Sequence, residues 1–109
     1  MKELQLLQGT LDLLVLRALT RGPRYGHQIA ANIQRGSRQA FRVLDGALYV
    51  SLHRLEQRGW LTSVRGRAET GKAVRFYALT PLGRSGYRTQ ATAWMRYVTS
   101  VARVFEYCG

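Results

Sequence analysis

From Tyr87 onward, Tyr87, Ala91, Trp94, Val98, Val101 and Phe105 recur at intervals of four, three, four, three and four. That 3.5-residue period draws one apolar stripe along a helix, the pattern of helices that pack lengthwise against another helix. Thr80-Pro81 supplies a capping hydroxyl followed by a proline at the first helical position, so the helix starts there and runs to about Tyr107. Such a rod is about 40 Å long. A chain of 109 residues builds one modest core and cannot cover a rod of that length. Two surfaces can take the stripe: the chain's own first helix, or a second copy of the chain. The reading adopted is a mixture of both, with a dimer.

The rest of the chain divides into short elements without repeats, low-complexity runs or linkers. "TLDLLVLRALTRGP" predicts a first helix with Thr10 as its cap, Asp12 favouring the positive end, and Gly22-Pro23 as the stop. Its leucines run round most of the circumference, which suggests that a partner covers one side. "YGHQIAANIQRGS" predicts a second helix of about three turns, with Gly36 in the left-handed position that ends it. "AFRV" at 40–43 alternates apolar and basic residues and predicts one brief strand.

"DGALYVSLHRLEQRGWL" then predicts a helix over 46–58, with Asp45 as cap and Gly59 as stop. Leu48, Leu52 and Leu55 share the core face, while Tyr49, Val50, His53, Arg54, Gln57 and Arg58 lie opposite and are left to meet a partner. "LTSVR" and "AVRFYAL" read as strands joined by "GRAETGK", a hairpin carrying Arg65, Arg67, Lys72 and Arg75 against Glu69 alone.

Charge narrows the class of partner. Seventeen Lys and Arg against six Asp and Glu leave a formal net charge of +11, and fifteen of the seventeen are arginine. Arginine favours planar, two-point contacts to phosphate and to guanine edges, so a polyanion is the leading partner. Two histidines, one cysteine and no clustered carboxylates leave no zinc ligand set, and no cofactor motif is present. No nucleophile, base and orienting group can be assembled either, so the chain is not expected to be an enzyme. The opening "MKELQLLQGTLDLL" is acidic among its leucines and has no small-residue cleavage site, and no apolar run spans a membrane. With a lone Cys108, the chain reads as soluble, unprocessed and cytoplasmic.

Helix, helix, short strand, helix, hairpin and long helix make a mainly α fold with a small β wing. This is a winged helix-turn-helix, over 1–79, with a long C-terminal dimerisation helix over 80–109. In that arrangement the second helix of the pair enters the major groove of DNA and the wing touches the flanking backbone or minor groove. The expected major-groove contacts are Tyr49, His53 and Arg54, with Arg54 the best placed to grip guanine. Tyr25, Gly26 and His27 open the second helix, where free backbone N–H groups suit a phosphate. Arg67 and Lys72 at the wing tip are electrostatic contacts. The alternative is a nonspecific basic module bound to RNA or held in a larger assembly.

Three stretches, "GTLDLLVLRALTRGPRYGHQIA", "ALYVSLHRLEQRGWL" and "RFYALTPLGR", resemble the PadR-type transcriptional regulators in order and spacing over roughly residues 6–105. The resemblance implies a dimer that represses a promoter by binding an inverted repeat of double-stranded DNA, and the short C-terminal helix class. It also implies that each last helix packs against its partner's N-terminal region, with Leu7, Leu11 and Leu14 meeting the stripe. Where the family reads Gly-Thr or Gly-Ser, then Leu-Tyr-Pro, this chain has Gly46-Ala47 and Leu48-Tyr49-Val50. Ala47 lacks a hydroxyl that could hold a phosphate, whereas Val50 frees a backbone N–H and offers a branched surface to a thymine methyl. Tyr49 carries over most directly; Arg67, Lys72 and Arg75 match the basic wing loosely. Trp94 sits where a flat ring can line a cavity between subunits, a candidate site for a small planar apolar effector.

Overall fold

A computed structural model describes residues 4–109, leaving the first three residues of the opening stretch outside it. The elements are α1 (Gln8–Ala18), β1 (Arg24–Tyr25), α2 (Gly26–Gly36), α3 (Asp45–Gln57), β2 (Leu61–Arg67), β3 (Ala73–Leu79) and α4 (Pro81–Cys108). α1, α2 and α3 enclose one core, closed from below by a three-stranded antiparallel sheet in the order β1-β3-β2. Leu16, Leu19, Ile29, Leu48, Leu52 and Leu55 are its largest fully buried side chains, so the leucine face read from the sequence of α3 does point inward. Burying each such side chain stabilises the fold by about 1.5–3 kcal/mol before entropy is counted.

Several boundaries differ from the sequence expectation for identifiable reasons. α1 begins at Gln8 behind Leu7, with no side-chain cap, so Thr10 lies inside the first turn. α3 likewise starts at Asp45 behind Leu44, which makes Asp45 the first helical residue, where its charge still suits the helix dipole. Gly36 stays helical. The left-handed residues are Arg38 (φ 52°) and Gln39 (φ 66°), held there by side-chain bonds across the loop. The Phe41 N–H donates to Ser37 Oγ at 3.1 Å and the Val43 N–H to Gln34 Oε1 at 3.0 Å. "AFRV" forms no strand; Phe41 makes only an isolated bridge with Leu4, and the third strand comes from Arg24–Tyr25 pairing with Tyr77 and Phe76.

α1 corrects the expectation of a helix too apolar for one chain to cover. Leu11, Leu13, Val15, Leu16 and Ala18 are all buried within the protomer. Leu11, expected at a dimer interface, is 2% exposed and belongs to the protomer's own core. Leu14 is half-buried and packs on that core, whereas Leu7 is open to solvent.

Only the start of the stripe on α4 is covered within the protomer. At its start Tyr87 packs on the core, and its hydroxyl accepts a hydrogen bond from Arg17 Nη1 at 3.2 Å. Ala91 is half-buried. Beyond it every residue is exposed, including Trp94, Val98, Val101 and Phe105. The helix starts as the sequence predicts: Thr80 Oγ1 accepts the Gly83 N–H at 3.0 Å, and Pro81 follows the cap. Thr80 also donates to the carbonyl of Gly59 at 2.6 Å, and Gly59 turns the chain out of α3 at φ 79°.

Candidate nucleic-acid interface

α2 and α3 meet at their N-terminal ends, where the buried Gly26 packs beside Leu48 and Tyr49 with room for a Cβ. A Cβ on Gly26 would stand 3.7 Å from both Leu48 Cδ2 and the Tyr49 hydroxyl oxygen. Tyr49, 58% exposed, thus leans over the start of α2 while remaining open to solvent. Gln28 Oε1 accepts the Tyr25 N–H at 3.1 Å and fixes the entry to α2. Tyr25 meets the Phe76 ring edge-on at 5.5 Å, tying that entry to the wing.

β2 and β3 pair in register from Leu61↔Leu79 to Arg67↔Ala73. Strand alternation puts Leu61, Ser63 and Arg65 on the same face as Leu79, Tyr77 and Arg75. Its inner end is buried at Leu61 and Tyr77, and its outer end brings Arg65 opposite Arg75. Glu56 at the end of α3 accepts from Ser63 Oγ at 2.7 Å, and Arg75 Nη1 donates to the same hydroxyl oxygen at 3.2 Å. This chain of bonds fixes the angle between the helix and the wing.

Between the start of α2, Tyr49 and the wing lies a groove of about 640 Å³. It gathers Tyr25, Gly26, His27, Tyr49, Lys72 and Arg75, six of the residues expected to bind DNA, around one concavity. Arg65 and Tyr77 also line it. Neither is marked as a contact by the sequence alone, although the cross-strand pairing of Arg65 with Arg75 follows once the hairpin register is known. Val50 and His53 lie outside the groove on the exposed side of α3, and Ala47 is half-buried against the core. Arg67, exposed at the wing, donates from Nη1 to the carbonyl of Gly71 at 2.9 Å and so also holds the turn.

Arg54 departs most from expectation. Its Nη2 lies 2.6 Å from Asp12 Oδ1 and 2.7 Å from Oδ2, and its Nε 3.2 Å from Oδ2. The fully buried Ser51 donates to Asp12 Oδ1 at 2.5 Å. The guanidinium expected to grip guanine is therefore paired with a carboxylate of α1. Nothing in the sequence marks that pairing, because 42 residues separate the partners.

Burial pushes the Tyr77 phenol above its ordinary 10.0, Glu56 adds to the rise, Arg75 opposes it and Tyr49 adds a little. The folded chain then holds this proton to higher pH than the unfolded chain. Its contribution to stability is complete below about pH 10 and is lost as pH rises through the folded value. Tyr77→Phe should remove that part of the alkaline loss. Urea midpoints for both proteins between about pH 8 and pH 11 check it, and parallel curves would contradict it.

On the opposite flank a second concavity, about 610 Å³, lies between the start of α1 and α4. Leu7, Leu13, Ala93, Trp94 and Tyr97 line it, with the Trp94 and Tyr97 rings stacked at 6.0 Å. The Trp94 cleft is thus formed within a single chain.

Among the described residues no helix is long and apolar enough to cross a membrane. The model of the transcriptional regulator PadR-like family matches residues 15–89. A transcriptional regulator of Mycobacterium tuberculosis is 49% identical over 49 residues, 45% of each chain. A transcriptional regulator from Clostridium thermocellum superposes with a TM-score of 0.78 at 27% identity, over 88% of this chain and 90% of the other. A Streptococcus mutans protein shares the fold with a TM-score of 0.83 at 20% identity, over 96% and 94% of the two chains. With two thirds of its length matched by the family model and its winged helix completed by a long C-terminal helix, the chain belongs to the PadR-like transcriptional regulators, DNA-binding proteins and not enzymes.

Proposed function

We propose that this protein is a cytoplasmic homodimer that binds an inverted repeat in double-stranded DNA and represses transcription. Residues 1–79 form the DNA-binding unit and 80–109 the dimerisation helix. The observation that carries the reading is the groove where Tyr25, Gly26, His27, Tyr49, Lys72 and Arg75 converge beside the open face of α3. Phosphate is held by the amides that open α2 and by the wing cations Arg65, Lys72 and Arg75, with Arg67 at the tip. Tyr49, Val50 and His53 meet base edges, Val50 against a thymine methyl, with Ala47 close to the backbone. Trp94 and Tyr97 offer a stacking wall to a flat apolar effector in the cleft beside α1.

The test is selection of bound duplexes from a random pool at near-physiological salt, with each winner reassayed against scrambled DNA and against RNA. An enriched inverted repeat is the expected result, bound with a salt slope of about −0.9 for each phosphate neutralised. Tyr49→Ala should weaken that operator by about tenfold to a hundredfold and scrambled DNA much less. Uniform retention with equal binding of RNA would replace this reading with that of a nonspecific nucleic-acid or scaffold module.

A further inference from the structure

Arg54 lies on the flank of α3 beside Val50, one helical turn away, and about a third of its side chain reaches solvent. An arginine in that position would ordinarily be drawn to DNA, whose phosphates and guanine edges match its fork. Here two arginine nitrogens close on both oxygens of Asp12, and Ser51, fully buried, holds that carboxylate from the other side. The carboxylate is therefore fixed by two side chains of the recognition helix at once. In a chain with an eleven-charge excess of cations, this is the one ion pair among the described residues. It lies at the flank of the helix that faces DNA.

We infer that Asp12 is a specificity-determining residue: it neutralises Arg54 in place and keeps that guanidinium off the DNA. The inference rests on α3 being the DNA-reading helix. With Arg54 held back, base reading falls to Tyr49, Val50 and His53, whose contacts depend on fit to base edges. A free arginine at the same flank would add a phosphate contact that every sequence can satisfy, raising binding to all DNA and diluting discrimination. Asp12 contacts no nucleic acid in this account and acts only through Arg54.

The experiment compares wild type, Asp12→Asn and the double variant Asp12→Asn/Arg54→Gln. The probes are the duplex enriched by the wild type and a scrambled duplex of equal composition, titrated between about 50 and 200 mM salt. Asp12→Asn should bind the scrambled duplex several-fold more tightly, with its log–log salt slope steeper by about 0.9 per subunit. The ratio of operator to scrambled affinity should fall accordingly. The double variant, which has amides in place of both charges, should return to the wild-type slope. A structural role alone would lower the unfolding midpoint and leave the slope unchanged, and that outcome overturns the inference.

Should Asp12→Asn fail to fold, the wild type carries the test through the Arg54 Nε–H resonance. It should stay at its ion-paired position when the enriched duplex is added, and movement to a DNA-bound position overturns the inference. Failure of the DNA-reading function appears separately, as a wild-type selection that enriches no sequence.

Discussion

Gly83→Ala is expected to lower the unfolding free energy by about 3 kcal/mol or more, enough to leave a domain of this size partly unfolded at physiological temperature. A Cβ at this position would stand 2.0 Å from the carbonyl oxygen of Trp60, 2.8 Å from its carbon and 3.0 Å from its Cα. These are backbone atoms, and the backbone there cannot move aside. The same Trp60 carbonyl accepts the Thr80 N–H at 3.0 Å, and the Trp60 N–H donates to Leu55 at 3.0 Å. Thr80 in turn grips Gly59 and caps α4 through Gly83 itself. Relieving the clash would break the helix cap or tilt α4 away from the core, and Tyr87 would leave with it. Gly9→Ala is the matched control, since nothing lies within 4 Å of its Cβ and alanine favours the helix. Urea unfolding followed by circular dichroism compares the two, and a loss below about 1 kcal/mol for Gly83→Ala would mean that the junction yields.

Local chemistry was legible in the sequence, and long-range chemistry was not. The leucines of α3, the Thr80-Pro81 start of α4 and the Gly59 stop each depend on residues a few positions apart, and each stands where periodicity or capping put it. The caps proposed at Thr10 and Asp45 failed by three residues and one, because a capping residue type is equally at home inside the first turn. Gly36 failed because the loop after α2 is held by Gln34 and Ser37 side chains, which support left-handed backbone at Arg38 and Gln39 without glycine. The groove was half legible: its residue types were foreseen, but the inclusion of Arg65 and Tyr77 follows from strand register, which composition does not fix. Arg54 shows the limit most plainly. Helical periodicity assigns it to the outward face, and only the approach of α1 supplies the carboxylate that draws it back.

Replacing Val101 and Phe105 together by aspartate is expected to turn the protein into a monomer and to weaken the selected inverted repeat by about a hundredfold or more. The far half of α4 has no cover within the protomer. From Thr92 to the end no residue is buried, yet Trp94, Met95, Tyr97, Val98, Val101, Val104 and Phe105 all lie there. An isolated helical arm of that length is marginal in water, and most helices in proteins are held by burial of an apolar face. Tyr87 and Ala91 have taken the covering that α1 can give. In the proposed homodimer a second copy covers the rest, and the two recognition helices stand about one DNA turn, roughly 34 Å, apart. Aspartate at Val101 and Phe105 places charge in that seam but touches nothing in the protomer's own core, so the winged helix should keep its near-ultraviolet signal. Sedimentation reads the oligomer, and fluorescence anisotropy compares the full repeat with an isolated half-site. The half-site should be bound with unchanged affinity, because only the linkage between the two reading heads has been removed. A variant that sediments as a monomer yet holds the full repeat as tightly as the wild type would refute the dimeric reading, as would a wild type that is itself monomeric at the concentrations where it binds.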